Sequence, residues 1–155
     1  MYERTYGAEY DASMTVKQIA AVVRTRLRAA LKAGDLPVPA GNEVKISVRY
    51  RTASMMQAID RTVSGFEGTR SEWAALRKAI DAVANAYNHD GSDIQTDYFD
   101  VRFYGSTDYC WNSSTVRNDP CPNSCPSEPE MWTGSMLRCP TCELTYVPGM
   151  VVATA

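Results

Sequence analysis

Four of the five cysteines in this 155-residue chain lie in two short pairs near its C-terminal end. Three residues separate Cys121 from Cys125, two separate Cys139 from Cys142, and thirteen residues lie between the pairs. Two close cysteine pairs about a dozen residues apart are the ligand spacing of a zinc ribbon or a related four-thiolate site. The sequence therefore predicts a structural Zn²⁺ ion bound by these four side chains.

Both pairs depart from the usual knuckle of a zinc ribbon. Glu143 stands where a glycine commonly follows the second cysteine and tolerates a left-handed backbone. Pro126 follows the first pair and lacks the backbone N–H that would donate to a thiolate. The fifth cysteine, Cys110, is expected to be a small buried apolar residue, although it remains an alternative ligand in place of either member of the first pair.

Three other interpretations of the paired cysteines are open but less favoured. Two disulfides would require an oxidising compartment, and no secretory signal is visible at the N-terminal end. A redox-active Cys-x-x-Cys belongs at a helix start in a thioredoxin-like βαβ pattern, which the sequence lacks. A catalytic zinc is disfavoured because four thiolates leave no open coordination position and the sole histidine, His89, is distant.

Regular periodicity disappears after about residue 108, where Pro, Cys, Ser and Asn become frequent. We expect an N-terminal arm at residues 1–14, an α+β domain at residues 15–108 and a zinc-ribbon-like four-cysteine module at residues 109–155. The module has few large apolar side chains, so its folding should depend on the metal. Three tyrosines of the arm recur at a spacing of four: Tyr2, Tyr6 and Tyr10. They fit a short helix with an aromatic stripe or a loosely ordered terminus.

Two amphipathic helices are predicted in the α+β domain, each opened by a capping box. Thr15 with Gln18 opens the first, which should run to about Lys32 and end at Gly34. Thr69 with Glu72 opens the second. Its apolar side chains follow the 3-4 spacing of a helix: Trp73, Leu76, Ile80, Val83 and Tyr87.

Alternating apolar and polar side chains predict three strands. Residues 44–51 alternate apolar with mostly basic side chains, and residues 94–104 alternate around three apolar ones. Residues 53–63 fit a helix or a strand, and a strand paired antiparallel with the first is preferred. The predicted fold class is therefore α+β, a two-layer α-β-β-α-β sandwich with helices on one face of the sheet and an appended zinc-ribbon-like module.

The formal charge of −2 hides an uneven distribution. Residues 15–51 contain eight basic and two acidic residues, a local charge of +6, and residues 90–108 contain one basic and five acidic residues, a local charge of −4. A protein that coats nucleic acid is basic overall, unlike this chain. The predicted partner or nucleic-acid-binding residues are Lys17, Arg24, Arg28, Lys32, Lys45, Arg49 and Arg51. A solvated face is the commoner explanation for such a stripe.

Three stretches carry a resemblance to a known family: VKQIAAVVRTRLRAAL, KISVRY and SDIQTDYFDVRFYG. Through them, residues 15–106 resemble the domain family associated with large polyvalent proteins of phages and plasmids. The resemblance implies a setting in phages, mobile elements or actinobacterial genomes. It implies no catalytic residues.

No nucleophile elbow, Walker loop or dinucleotide fingerprint is present in the sequence. We therefore expect a non-catalytic adaptor that docks on a protein or nucleoprotein complex in the cytoplasm of a bacterial host cell. No small-molecule substrate is indicated, and no stretch reaches the roughly 18 apolar residues of a membrane span. The alternatives are a small metal-dependent nuclease-like enzyme that uses Glu43, Lys45 and a neighbouring aspartate in a complex, and a virion structural or counter-defence protein.

Overall fold

The computed structural model describes residues 4–54, 56–92, 100–133 and 136–148. Two helices lie within these residues, α1 at Val16–Ala33 and α2 at Arg70–Asn85. The strands of the same residues are β1 Thr5–Tyr6, β2 Lys45–Ala53, β3 Met56–Ser64, β4 Glu67–Thr69, β5 His89–Asp90, β6 Thr107–Tyr109, β7 Thr115–Arg117, β8 Glu130–Thr133, β9 Met136–Arg138 and β10 Thr145–Tyr146. Neither helix combines the length and the apolar character needed to cross a membrane.

Helix α1 begins and ends where the sequence predicts. The Thr15 side chain accepts a hydrogen bond from the Gln18 N–H, and the Gln18 Oε1 accepts one from the Thr15 N–H at 2.7 Å, which completes the capping box. Gly34 ends the helix at a φ of 78°, a left-handed conformation that glycine adopts at little cost. One face of α1 is buried: Val16, Ile19, Ala20, Val23 and Leu27.

Helix α2 also begins at a complete capping box, between Thr69 and Glu72. Its buried side chains pack with those of α1 and of the sheet in one apolar cluster. Tyr87, which the spacing assigns to the helical face, is buried just beyond the helix end. Full burial of a side chain such as Leu76 or Ile80 contributes about 1.5–3 kcal/mol. This cluster therefore supplies most of the stability of the part of the chain formed by the two helices and the main sheet, called the body below.

The main sheet has the strand order β2–β3–β6. Strands β2 and β3 pair antiparallel along their whole nine-residue length, which confirms the strand predicted at residues 53–63 and its pairing. Strand β6 joins β3 in parallel, with Thr107 opposite Arg61. Both helices pack on one face of this sheet, while the opposite face of β2 exposes Lys45, Ser47 and Arg49. The predicted α+β class is confirmed.

The third strand of the sheet differs from the predicted one. Of the strand expected over residues 94–104, residues 94–99 lie outside the described residues, and Val101 and Tyr104 make only isolated bridges. The regular pairing begins later, at β6. Gly105, at a φ of 142°, passes so close to β3 that an added Cβ would overlap its main chain. Tyr104 already exchanges hydrogen bonds with β3, so the close approach at Gly105 lies between this isolated bridge and the regular pairing of β6.

The N-terminal arm is a paired, extended segment rather than a helix in its described part. Strand β1 pairs antiparallel with β5, which attaches the arm to the chain just after α2. The rings of Tyr6 and Tyr10 lie 4.9 Å apart, and the Tyr10 ring meets the edge of His89 at a centroid distance of 5.4 Å. Tyr2 lies outside the described residues. An aromatic stripe therefore exists, but a strand pairing positions it.

The C-terminal part, residues 119–148, contains a second, smaller antiparallel sheet of strand order β8–β9–β10. Leu137 in β9 lies opposite Tyr146 in β10, and both side chains are buried. Before this sheet, β7 pairs in parallel with β4 of the body. Strand pairing with the body thus continues to Arg117, and the domain boundary near residue 108 remains a prediction.

Candidate metal centre

The four paired cysteines meet in space. Their sulfur atoms all lie within 4.8 Å of one another, and the Sγ atoms of Cys121 and Cys142 are 3.6 Å apart. Four sulfurs bonded to one tetrahedral ion at about 2.3 Å would stand about 3.8 Å from one another. All five cysteines of the chain are free thiols, so the structure contains no disulfide. The cluster has the size of a four-thiolate metal site.

The first half of the site is a turn from Cys121 to Cys125. The Ser124 N–H donates to the Cys121 carbonyl oxygen at 2.9 Å, and Ser124 adopts a left-handed φ of 54°. The Asn123 main-chain N–H donates to the Cys121 sulfur, and its side-chain Nδ2 donates to the Cys142 sulfur at 3.5 Å. The unusual third intervening residue is thus accommodated by one left-handed residue just before the second cysteine.

The second half of the site is the knuckle that begins at Cys139. The Glu143 N–H donates to the Cys139 carbonyl oxygen at 2.9 Å, and the Cys139 N–H donates to the Leu144 carbonyl oxygen at 2.9 Å. Glu143 takes a left-handed φ of 58°, the conformation for which a glycine commonly stands at this position. A non-glycine residue in that conformation costs about 1–2 kcal/mol. The side chain of Glu143 pairs with Arg138 at 3.3 Å.

Main-chain dipoles and burial give the thiols different acidities. N–H groups of Cys142 and Thr141 point at the Cys139 sulfur and lower the pKa of that thiol to about 6. The pKa of Cys125, which precedes Pro126, is shifted in the opposite direction. A hydrogen bond with the Cys142 thiol, together with burial, raises the pKa of Cys125 to about 12. A cation among the four sulfurs favours the thiolate at every one of them.

These four side chains can hold one metal ion. Cys121 and Cys139 are buried, Cys125 is half-buried and Cys142 is exposed. Such a soft, all-sulfur ligand set suits Zn²⁺, Cu(I) or iron, and a site with four protein ligands leaves no position for water or substrate. Among the described residues no other group of three or more His, Cys, Asp or Glu side chains is placed to bind a metal. Glu43 does not belong to such a group, and the nuclease-like alternative stays a prediction.

Cys110 lies apart from the cluster. Its main-chain N–H donates to the Val63 carbonyl oxygen at 2.7 Å, just beyond the end of β6 in the main sheet. The residue is half-buried, and the neighbouring Trp111 side chain is 80% exposed. The structure thus brings together the four cysteines of the two pairs and leaves the fifth on the body.

The structure brings together three of the seven predicted basic residues. Lys17, Arg24 and Arg49 line one groove of about 660 Å³ between α1 and β2. The remaining four do not line this groove: Arg28, Lys32, Lys45 and Arg51. Arg51 instead forms an ion pair with Asp60 on the outer face of the sheet, at 2.9 Å.

The sequence analysis did not identify Asp119, which connects the metal centre to the body. Its carboxylate accepts hydrogen bonds from the N–H of Ser71, at 3.1 Å, and from the hydroxyl of Ser71 in the first turn of α2. Its carbonyl oxygen accepts a hydrogen bond from the Tyr146 hydroxyl at 2.8 Å. An aspartate two residues before a ligand cysteine is a visible signal, but its partner in α2 is 48 residues away in sequence.

Comparison with known proteins identifies no relative: no protein-family model, no curated protein and no solved structure matches this chain. The resemblance to the domain family of large polyvalent proteins therefore remains a prediction. Function has to be inferred from the metal centre and from the groove beside α1.

Proposed function

We propose that this chain is a non-catalytic binding protein whose C-terminal part is held together by one structural zinc ion. The ligands are Cys121, Cys125, Cys139 and Cys142, and the observation that carries the proposal is that their four sulfurs lie within 4.8 Å of one another. Zinc is preferred because it has no geometric demand beyond the tetrahedron that four thiolates supply. A closed site of this kind contributes folding energy and a fixed surface instead of chemistry.

Exposed apolar side chains support the binding role. Three large ones near and within the C-terminal part are exposed, namely Tyr109 by 39%, Trp111 by 80% and Met131 by 46%. Aromatic residues and methionine are enriched at protein interfaces relative to the rest of a protein surface. The sequence resemblance adds the expected setting, the cytoplasm of a bacterial host that carries a phage or mobile element, where the partner is a protein or nucleoprotein complex.

The test is the metal content of the full chain, purified without added metal and measured by inductively coupled plasma mass spectrometry. We expect one zinc per chain, and its loss in Cys139→Ser, which removes a buried ligand. Cys110→Ser is the matched control, because it also removes one thiol but leaves the cluster intact. Full zinc content in Cys139→Ser would contradict the proposal, as would a metal-free wild-type chain. Iron in place of zinc would retain the site and refute the metal assignment.

A further inference from the structure

Strand β2 forms an open edge of the main sheet within the described residues. The N–H groups of Ile59 and Arg61 in β3 donate towards the chain on the β6 side. Their partners across β2, Tyr50 and Val48, therefore belong to the non-hydrogen-bonded pairs of the antiparallel ladder. In such pairs the main-chain N–H and C=O groups point away from the neighbouring strand. Alternate residues of β2 thus present hydrogen-bonding groups to the open edge.

Arg24 of α1 reaches one of these outward groups. Its Nη2 atom donates to the Val48 carbonyl oxygen at 2.7 Å. The contact satisfies one carbonyl of the edge with a side chain that is itself only half-buried. A charged residue at an exposed edge is a usual way of discouraging uncontrolled strand pairing. The same contact is reversible, because an incoming N–H can replace the guanidinium if a carboxylate then takes the arginine.

The groove along this edge has one sign of charge. Lys17, Arg24 and Arg49 line it, and no acidic side chain does. Its other lining groups are hydroxyls, an amide and small or buried apolar side chains, among them Ala20, Ala21 and Val48. At about 3.3 Å per residue, the edge from position 46 to position 50 is about 13 Å long and matches about five residues of an extended peptide.

We propose that this groove binds an extended acidic segment of a partner protein, which adds to β2 as a further strand. The inference rests on the proposed binding function and names its partner class. Main-chain hydrogen bonds to the open edge supply affinity. Alternate acidic side chains on the helix side of the segment contact Lys17 and Arg24, and an acidic side chain on its other side contacts Arg49. The N–H of the segment donates to the Val48 carbonyl oxygen, and Arg24 turns from that carbonyl to a carboxylate of the segment.

Nucleic acid fits the same groove less well. Proteins that bind duplexes commonly neutralise about 6–10 phosphates, whereas three cations line this groove and the whole chain has a formal charge of −2. Single strands are usually held by bases stacked on exposed aromatic rings, and Tyr50, the only aromatic residue that lines the groove, is half-buried. An open strand edge offers directional donors and acceptors that a peptide backbone matches and a phosphate backbone does not.

The experiment selects ligands from a random dodecapeptide display library on the immobilised, zinc-loaded full chain. The best peptide is then synthesised with a fluorescent label, and its affinity is measured by polarisation. We expect acidic residues at alternate positions, and a loss of affinity of at least about tenfold, or about 1.4 kcal/mol, in the double variant Arg24→Gln/Arg49→Gln. Arg51→Gln is the matched control: it removes a β2 cation outside the groove and should change affinity less than twofold.

Strand addition is separated from simple charge attraction by a second peptide that is N-methylated at alternate positions. It keeps every carboxylate but loses the N–H groups that would face β2, so it should not bind. Equal binding of the N-methylated peptide, selection without acidic bias, or an unchanged affinity in the double variant would each overturn the proposal. Tighter binding of a twenty-nucleotide single-stranded DNA, lost in the same double variant, would assign the groove to nucleic acid instead.

Zinc content, measured on every variant, distinguishes this inference from the proposed function. A wild-type chain with full zinc content that binds no peptide refutes the groove alone, since no ligand cysteine lines it. A wild-type chain that is purified without any bound metal and still binds the peptide refutes the structural-zinc proposal and leaves the groove supported.

Discussion

In the α+β body, apolar side chains from α1, α2 and the main sheet form one buried cluster, whereas the described C-terminal part buries little besides Leu137, Tyr146 and two of its cysteines. The body can therefore fold on the hydrophobic effect, with two capped helices as local support. The C-terminal part is too short and too polar for that, and four thiols meet where a core would otherwise be. The proposed zinc ion would substitute there for apolar burial.

The two regions also satisfy their buried polar groups differently. In the body, Arg61 is only 3% exposed and is fully partnered within the chain. Its guanidinium donates to the Ile59 carbonyl oxygen, to Thr107 Oγ1 at 2.9 Å and to Asp81 Oδ1 at 2.7 Å. In the C-terminal part, the thiols have mainly one another and nearby N–H groups as hydrogen-bonding partners. Arg61 finds its partners within the chain, while the proposed zinc ion would supply the largest interaction of the cysteine cluster.

Removal of the metal should produce the largest difference between the two regions. A structural zinc contributes on the order of 10–16 kcal/mol of apparent binding free energy near pH 7, more than the short C-terminal part can replace. With a strong chelator, we expect amide resonances of residues 119–148 to lose their dispersion while those of α1, α2 and β3 keep theirs. Restoration by added zinc is the control. Collapse of both regions together would show that the body depends on the metal as well.

A cavity in the core should destabilise the body and leave the metal centre intact. Leu76→Ala in the fully buried face of α2 should lower the free energy of unfolding of the body by about 2–5 kcal/mol, measured by chemical denaturation. Zinc stoichiometry below the transition should stay unchanged. Met56→Ala, at a side chain that is 40% exposed, is the control and should cost less than about 0.5 kcal/mol. Zinc loss in Leu76→Ala under native conditions would contradict the independence of the two regions.

Removal of the charged partner of the buried Arg61 should have a smaller effect on the stability of the body. Asp81→Ala removes a carboxylate from Arg61 and should cost about 1.5–3 kcal/mol, because the cation keeps two neutral partners but loses its charged one. Asp60→Ala breaks the exposed pair with Arg51 and should cost no more than about 1 kcal/mol. Both values come from denaturation curves. Equal losses of stability in the two variants would show that burial of Arg61 does not strengthen its ion pair.

Substitution of Asp119 tests whether the two regions are coupled, because its hydrogen bonds join them. Asp119→Ala removes the acceptor for Ser71 at the start of α2 and should cost about 1 kcal/mol, the usual value of such a cap. Hydrogen exchange should increase both in the first turn of α2 and around Tyr146. The control is Asp108→Ala, whose exposed carboxylate accepts from the nearby Ser106 hydroxyl. Faster exchange confined to α2 would mean that Asp119 does not couple the regions.

The smallest expected effect concerns backbone strain in the knuckle. Glu143→Gly relieves the left-handed φ of 58° but adds freedom to the unfolded chain and loses the exposed pair with Arg138, so we expect a net gain of about 0.5 kcal/mol. Zinc affinity measured by chelator competition should rise slightly. Glu143→Ala, which loses the same ion pair without relieving the strain, is the control and should show no gain.

Local rules predicted much of this molecule. The capping boxes at Thr15 and Thr69, the left-handed Gly34, and the alternation of β2 all involve residues within about four positions of one another, so short-range chemistry decides them. The spacing of the cysteine pairs likewise predicted which four sulfurs would meet, because each pair sits on its own turn. In the sequence, Glu143 is only a departure from the usual glycine, and its left-handed backbone is a finding of the structure.

Only the tertiary structure decided the remaining features, because they depend on partners far apart in sequence. The parallel pairing of β6 with β3, the hydrogen bond from Arg61 to Thr107 and the contact from Asp119 to α2 each join residues more than forty positions apart, and no periodicity encodes such a choice. Seven basic residues made one stripe in the sequence, but the fold gathered Lys17, Arg24 and Arg49 along the open edge of β2. Composition determined that the chain carries a positive region, and packing of α1 on the sheet determined where it forms a groove.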